Sequence, residues 1–323
     1  MRSIARIAVS LALIASACGG SPATTTDAPA GRVSVVATTT IAADLARMVV
    51  GDAGDVVSIM PSGADPHDFS PSARQLEILQ EADLVMAFGL GLEEGLEAAL
   101  ESVEDQGVPI VWLAPALGPL PFEPGDEVEG HEPQDEDEED GHDHDDHDEL
   151  DPHVWMDPVR VADALRIIAL RLEGLVPSGG WETRASDAAA EFLTLDQEIR
   201  DIVAAVPGDR RLLVTNHHSL GYFADRYGFL VLGTVIPGGG THGAPSSADI
   251  AGLVALITST GVPAIFTEDG DTTDLAEAIA AEVPHEVRVI SLTTDSLGEP
   301  GSETGTLLGL LRFAATTIVE ALS

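Results

Sequence analysis

Short runs of β-branched and aliphatic residues alternate along the chain with stretches whose apolar positions recur every three or four residues. Residues 33–38 form such a run, and Ile41, Leu45, Met48 and Val49 behind it fall on one face of a helix over 41–50. The pair of patterns repeats, with runs at 56–60, 84–88 and 109–113 and helical spacing over 71–80 and 93–102. A second series has runs at 211–215, 231–236, 264–267 and 287–292, with helices predicted over 220–227, 248–260, 273–282 and 303–321. Such alternation predicts parallel strands, because parallel neighbours need a crossover long enough to return the chain. Between the two series, 159–175 and 181–206 read as helices parted by Pro177, Gly179 and Gly180, and the second is the better candidate to link two halves. The expected fold is α/β, with two parallel-sheet lobes joined by one long rigid helix: an N-terminal lobe over 32–180, the linking helix over 181–206 and a C-terminal lobe over 207–323. Ligands of open parallel sheets bind beyond the carboxyl ends of the strands, so the cleft between the lobes is the place to look for chemistry.

The start of the chain has another pattern. Arg2 and Arg6 precede an apolar run ending in small residues before Cys18, which marks 1–17 as an export signal. That run is shorter than the roughly 20 residues a membrane-spanning helix requires. Cys18 is the only cysteine, so no internal disulfide can form, and its position predicts lipidation. Plain peptidase cleavage is the alternative, since Ala15 stands where a larger aliphatic residue is usual before a lipidated cysteine. Residues 18–31, rich in Ser, Thr, Ala, Pro and Gly, read as a flexible tether. The whole then reads as an exported, membrane-anchored protein.

Charge removes one class of partner and marks one segment. Acidic residues number 55 against 15 basic ones, which excludes nucleic acid as a partner. Residues 123–151 hold 17 of the carboxylates and no basic residue, interleaved with His131, His142, His144 and His147. Nothing there can pack a core. Alternating imidazole and carboxylate suits weak, variable metal contact, an auxiliary loop, against the plainer reading of a solvated acidic insertion.

The tripeptide Asp-Pro-His occurs twice, at Asp65-Pro66-His67 and Asp151-Pro152-His153, with an aromatic two residues on, Phe69 or Trp155. Ser70-Pro71 and Asp157-Pro158 then each offer a capping side chain before a proline suited to a first helical turn. The same stiffened loop therefore presents a histidine twice. His217 and His218 follow the run at 211–215, and only one of two adjacent, diverging side chains is expected to be a ligand. Asp295 follows the run at 287–292, and Glu268 follows 264–267 as a supporting group or alternative ligand. His67, His153, His217 and Asp295 make three imidazoles and a carboxylate, a set suited to four-coordinate Zn2+, with Mn2+ second because nitrogen-rich sites hold zinc more tightly. His242, in a glycine-rich loop, and His285 are expected to be loop and surface residues. A zinc hydrolase is disfavoured by the absence of a zinc-protease helix motif or nucleophile elbow, and a metal-buffering or adhesion protein is a third reading.

In their order along the chain, Ile59-Met60-Pro61 before the first Asp-Pro-His, Ala82-Asp83-Leu84-Val85, Asp151 to Pro158, Thr215 to Tyr222, Ala264-Ile265-Phe266-Thr267-Glu268 and Asp295-Ser296-Leu297-Gly298 resemble the substrate-binding proteins of metal-specific ABC importers, above all their zinc branch. The resemblance implies a metal at the interface of two lobes, with little lobe movement, and places the family's ligand histidines on His67, His153 and His217 and its late aspartate on Asp295. It also implies delivery of zinc to a permease and ATPase by a monomeric, lipid-anchored receptor at the outer face of the cell membrane or in the periplasm. The acidic histidine loop is similar to that of the zinc-specific members. His218 departs from the pattern, standing where the family often has aspartate.

Overall fold

The computed structural model describes residues 32–122, 150–241, 243–268 and 271–323. The export signal, Cys18, the tether, His131, His142, His144, His147 and His242 lie outside the described residues. Among the described residues, no helix is long and apolar enough to cross a membrane.

Two four-stranded sheets have the same topology. The first holds β1 (Val33–Ala37), β2 (Gly54–Ser58), β3 (Leu84–Ala87) and β4 (Ile110–Trp112) in the order β2-β1-β3-β4. The second holds β5 (Leu212–Thr215), β6 (Leu230–Thr234), β7 (Ala264–Thr267) and β8 (Arg288–Ser291) in the order β6-β5-β7-β8. Every pairing is parallel, as the alternation predicts. β3 and β7, inside their sheets, are buried along their whole length and apolar on both faces, which suits parallel strands covered by helices on either side.

The crossovers are α1 (Thr40–Val50), α2 (Ala73–Gln80) and α3 (Glu97–Asp105) in the first lobe, and α7 (Gly221–Tyr227), α8 (Ser247–Thr260) and α9 (Asp271–Glu282) in the second. A single turn, α4 (Leu113–Ala116), follows β4, and α5 (Pro158–Leu175) and α6 (Trp181–Val203) run between the sheets in sequence. The chain closes on α10 (Leu307–Leu322), capped by Thr306, whose side chain accepts from Gly309 N. Asp157 caps α5 by accepting from Val159 N, with Pro158 as the first helical residue, as the sequence predicts. The other expected start is displaced: α2 begins at Ala73, after Ser72 and not after Ser70. Gln75 explains the shift, because its side-chain oxygen reaches back to accept from Ser72 N at 2.8 Å and Ser72 Oγ at 2.7 Å.

Side-chain alternation divides the apolar residues between three clusters. Val35 of β1 and Leu213 of β5 face one large core that also takes in Trp155, Phe192, Phe223 and Leu310. Their neighbours Val36 and Val214 point the other way, into smaller clusters under α2 and α3 and under α8 and α9. The large core thus draws on both sheets. α6 packs on α1, α5 and α10, so the long helix is a wall of this shared core. Asp196 of α6 binds Arg226 of α7 through both carboxylate oxygens, each at 2.8 Å, and accepts from Tyr227 Oη at 3.2 Å. Arg226 pulls the Asp196 carboxyl below the usual range although burial opposes it.

Candidate metal centre

Four segments distant in sequence deliver His67, His153, His217 and Asp295 to one point. One donor atom from each lies within 4.8 Å of every other, and the residues are 3%, 0%, 0% and 3% exposed. His67 stands on the loop after β2, where Asp65 Oδ1 accepts from His67 N at 2.9 Å and closes the turn. His153 precedes a short 3-10 turn, Val154–Met156, that leads into α5. His217 follows β5, and its carbonyl accepts from Thr215 Oγ1 at 2.7 Å and Ser219 N at 2.9 Å. Asp295 lies just beyond β8.

The three imidazoles converge through one kind of nitrogen. His153 Nε2 is 3.4 Å from His67 Nε2 and 3.4 Å from His217 Nε2. Asp295 Oδ2 is 3.0 Å from His217 Nε2, and Asp295 Oδ1 is 3.7 Å from His153 Nε2. Such crowding of nitrogen lone pairs and a carboxylate, out of water, is unfavourable without a cation among them. Asp295 Oδ2 is buried, and the basic nitrogen it faces is His217 Nε2.

Glu268 acts on Asp295 from behind. Its Oε1 accepts from Thr294 N at 2.9 Å and Asp295 N at 3.3 Å, and the Thr294 hydroxyl donates to it as well. Glu268 therefore holds the backbone that carries Asp295. The two carboxylates titrate apart. Burial, then repulsion by Asp295, pushes Glu268 up to about 7. Burial opposes ionisation of Asp295 too, but His217 and His153 hold it well below the usual carboxylate range. For His217 burial disfavours the charged form, yet Asp295 outweighs it and raises the imidazole to about 9.

His218 turns away from the centre: its Nδ1 lies 3.6 Å from Asp151 Oδ2, and its ring meets Phe122 edge-on at 5.3 Å. Of the adjacent pair, His217 alone joins the cluster. His285, half-buried, sits 3.2 Å from the Val262 carbonyl and is not one of the four clustered residues.

Sequence reading missed the groups that lock these loops together. Trp155 Nε1 donates to Thr294 O at 2.9 Å, so the aromatic after the second Asp-Pro-His holds the Asp295 loop. Ser296 Oγ accepts from Gly63 N at 2.9 Å and lies 3.2 Å from Thr40 Oγ1, which itself accepts from Leu297 N at 2.9 Å. Thr241 Oγ1 donates to Asp65 Oδ2 at 2.7 Å, bringing the glycine-rich loop of the second lobe over the first. The recurring Asp-Pro-His-x-aromatic pattern was the available signal for Trp155, and nothing local marks Thr40 or Ser296.

Comparison with known proteins follows the same lines. The chain is 26% identical to the manganese-binding lipoprotein MntA of Halalkalibacterium halodurans over 97% of this chain and 96% of that one. It is 26% identical to the manganese ABC transporter substrate-binding lipoprotein PsaA of Streptococcus anginosus, over 97% and 95%. The solved structure of the periplasmic zinc-binding protein TroA from Treponema pallidum superposes with a TM-score of 0.77 at 27% identity, covering 91% of this chain and all of that one. The profile of ZnuA, zinc-uptake complex component A, periplasmic, matches residues 35–321, and the chain belongs to this family, as a metal-binding substrate-binding protein of an ABC importer.

Proposed function

We propose that the protein captures Zn2+ outside the cytoplasm, with His67, His153, His217 and Asp295 as its ligands, and passes it to the permease and ATPase of an importer. Cys18 carries the lipid that keeps this receptor at the membrane. The observation that carries the reading is the convergence of three Nε2 atoms and one buried carboxylate. Donors of a tetrahedral zinc site, about 2.0–2.1 Å from the ion, stand about 3.3–3.4 Å apart. The two nitrogen–nitrogen separations, both 3.4 Å, match that value, and Asp295 Oδ2 stands 3.0 Å from His217 Nε2. Three neutral nitrogens and one carboxylate hold zinc more tightly than manganese by the Irving–Williams order. Glu268 supports Asp295 and is not itself a ligand in this reading. The histidines of the acidic segment, which ends in sequence at Asp151, act in this reading as an auxiliary metal loop.

Manganese is the second reading, favoured by the names of the relatives and by the two carboxylates, Asp295 and Glu268, on one side of the cluster. Competitive titration of metal-stripped protein with zinc and manganese separates the two, beside deletion of 123–149 and a His67→Ala, His153→Ala double variant. One tight zinc site that survives the deletion and disappears in the double variant is the expected result. Tighter manganese binding would replace the metal, and tight binding lost only with the acidic segment would make the protein a metal buffer.

A further inference from the structure

The two Asp-Pro-His copies share one turn and differ in what the aspartate does next. In each, a carboxylate oxygen accepts from the backbone of the histidine two residues on: Asp65 from His67 N at 2.9 Å, Asp151 from His153 N at 2.8 Å. Asp65 gives its second oxygen to Thr241. Asp151 instead takes the imidazole itself, with His153 Nδ1 donating to Asp151 Oδ1 at 2.7 Å.

A neutral imidazole has one proton for two nitrogens. With that proton on Nδ1, the lone pair of His153 lies on Nε2, the atom that meets His67 and His217. The carboxylate also fixes the plane of the ring. Asp151 is 1% exposed and cannot swing aside. Its N–H donates to Leu120 O at 2.8 Å and its carbonyl accepts from Tyr222 Oη at 2.6 Å. Gly221, at the start of α7, closes on it so tightly that a Cβ there would stand 2.7 Å from Asp151 Oδ2 and 2.9 Å from His218 Cε1. The orientation of His153 is therefore set jointly by the first lobe and by α7 of the second.

We propose that Asp151 is the positioning residue of the metal centre, holding His153 in its Nδ1–H tautomer with Nε2 aimed at the ion, while Asp65 in the other copy of the motif fastens the glycine-rich loop. The proposal rests on His153 being a ligand. A carboxylate behind a metal-bound imidazole fixes its tautomer and raises its basicity, and loss of such a partner lowers metal affinity about 10–100-fold.

The test combines zinc competition titrations with 15N NMR of the histidine tautomers in the metal-free full chain, for the wild type, Asp151→Ala, Asp151→Asn and His153→Ala. The wild type is expected to hold His153 as Nδ1–H. Asp151→Ala moves His153 toward Nε2–H and weakens zinc about 10–100-fold. Asp151→Asn, whose oxygen still accepts, restores the tautomer and part of the affinity. An Nε2–H His153 in the wild type overturns the proposal, and that measurement needs no variant to fold. Wild-type affinity in Asp151→Ala, or lost affinity with the tautomer unchanged, overturns it as well. Unchanged zinc binding in His153→Ala would instead remove the ligand assignment beneath it.

Discussion

Zinc binding should release a proton near neutral pH, and its affinity should climb well above the range where a free histidine titrates. An ordinary imidazole, near 6.5, would confine the pH dependence of binding to acid solution. The structure moves that window upward. Asp295 raises His217 to about 9 against the effect of burial, so the metal-free centre at pH 7 holds a proton between His217 Nε2 and Asp295 Oδ2, 3.0 Å apart. A metal must displace it. Two pH units correspond to about 2.7 kcal/mol, so apparent zinc affinity at pH 7 should be roughly 100-fold below its limit at high pH and about 50-fold below its value at pH 9, rising nearly tenfold over the first unit and less over the second. The metal-free fold responds with the opposite sign: its gain from the raised His217 is complete below about 6.5 and disappears as pH rises through about 9. Calorimetric titration at pH 7 in buffers of different ionisation enthalpy measures the proton, with at least about one released per zinc expected. Chelator competition from pH 7 to 9 measures the affinity. Asp295→Asn, which removes the charge responsible, should shrink the proton release. A flat affinity over that range, or no release in the wild type, would refute the argument.

Two substitutions away from the ligands probe how the loops are held. Trp155→Phe keeps most of the packing and removes the bond to Thr294 O, so it should cost about 0.5–1.5 kcal/mol of stability and lower zinc affinity severalfold through the Asp295 loop; unchanged melting and binding would mean that the indole does not hold that loop. Gly239→Ala would place a methyl 2.4 Å from Phe122 Cζ, so the loop or the ring must shift at a cost of about 1–3 kcal/mol, seen in thermal unfolding of the metal-free protein, and wild-type melting would show that the loop yields freely.

The parallel sheets and their crossovers were legible because periods of two kinds alternate and because β3 and β7 are apolar on both faces. Helix starts were less so: Ser70-Pro71 carries the better local signal, and Gln75 overrules it through contacts that depend on the turn already being formed. For the centre, the repeated tripeptide pointed to His67 and His153, and position after a strand pointed to His217 and Asp295. The choice of His217 over His218 was not legible from these residues alone, since both follow β5. It is decided by Asp151 and Phe122, which accommodate His218 on the far side and come from another part of the chain. The bonds from Thr40, Gly63 and Trp155 to the Asp295 loop join residues more than a hundred positions apart, and no local pattern encodes such a pairing.

Those distant bonds explain why the cluster is so narrow. Bringing four donors together from residues 67 to 295 carries a large ordering cost, and here it is met by folding rather than by binding. The large core, shared by strands of both sheets and walled by α6, fixes the lobes relative to one another. Trp155, Glu268, Thr40 and Ser296 then fix the Asp295 loop, while Asp151 fixes His153 and Asp65 fixes the turn at His67. Separating the sheets would expose that core to water, at about 25 cal/mol for each Å2 of apolar surface. Discrimination between metals of the same charge depends on donor spacing and donor type. The nitrogen donors stand 3.4 Å apart before any ion arrives, so an ion that prefers another spacing must displace loops that these bonds hold.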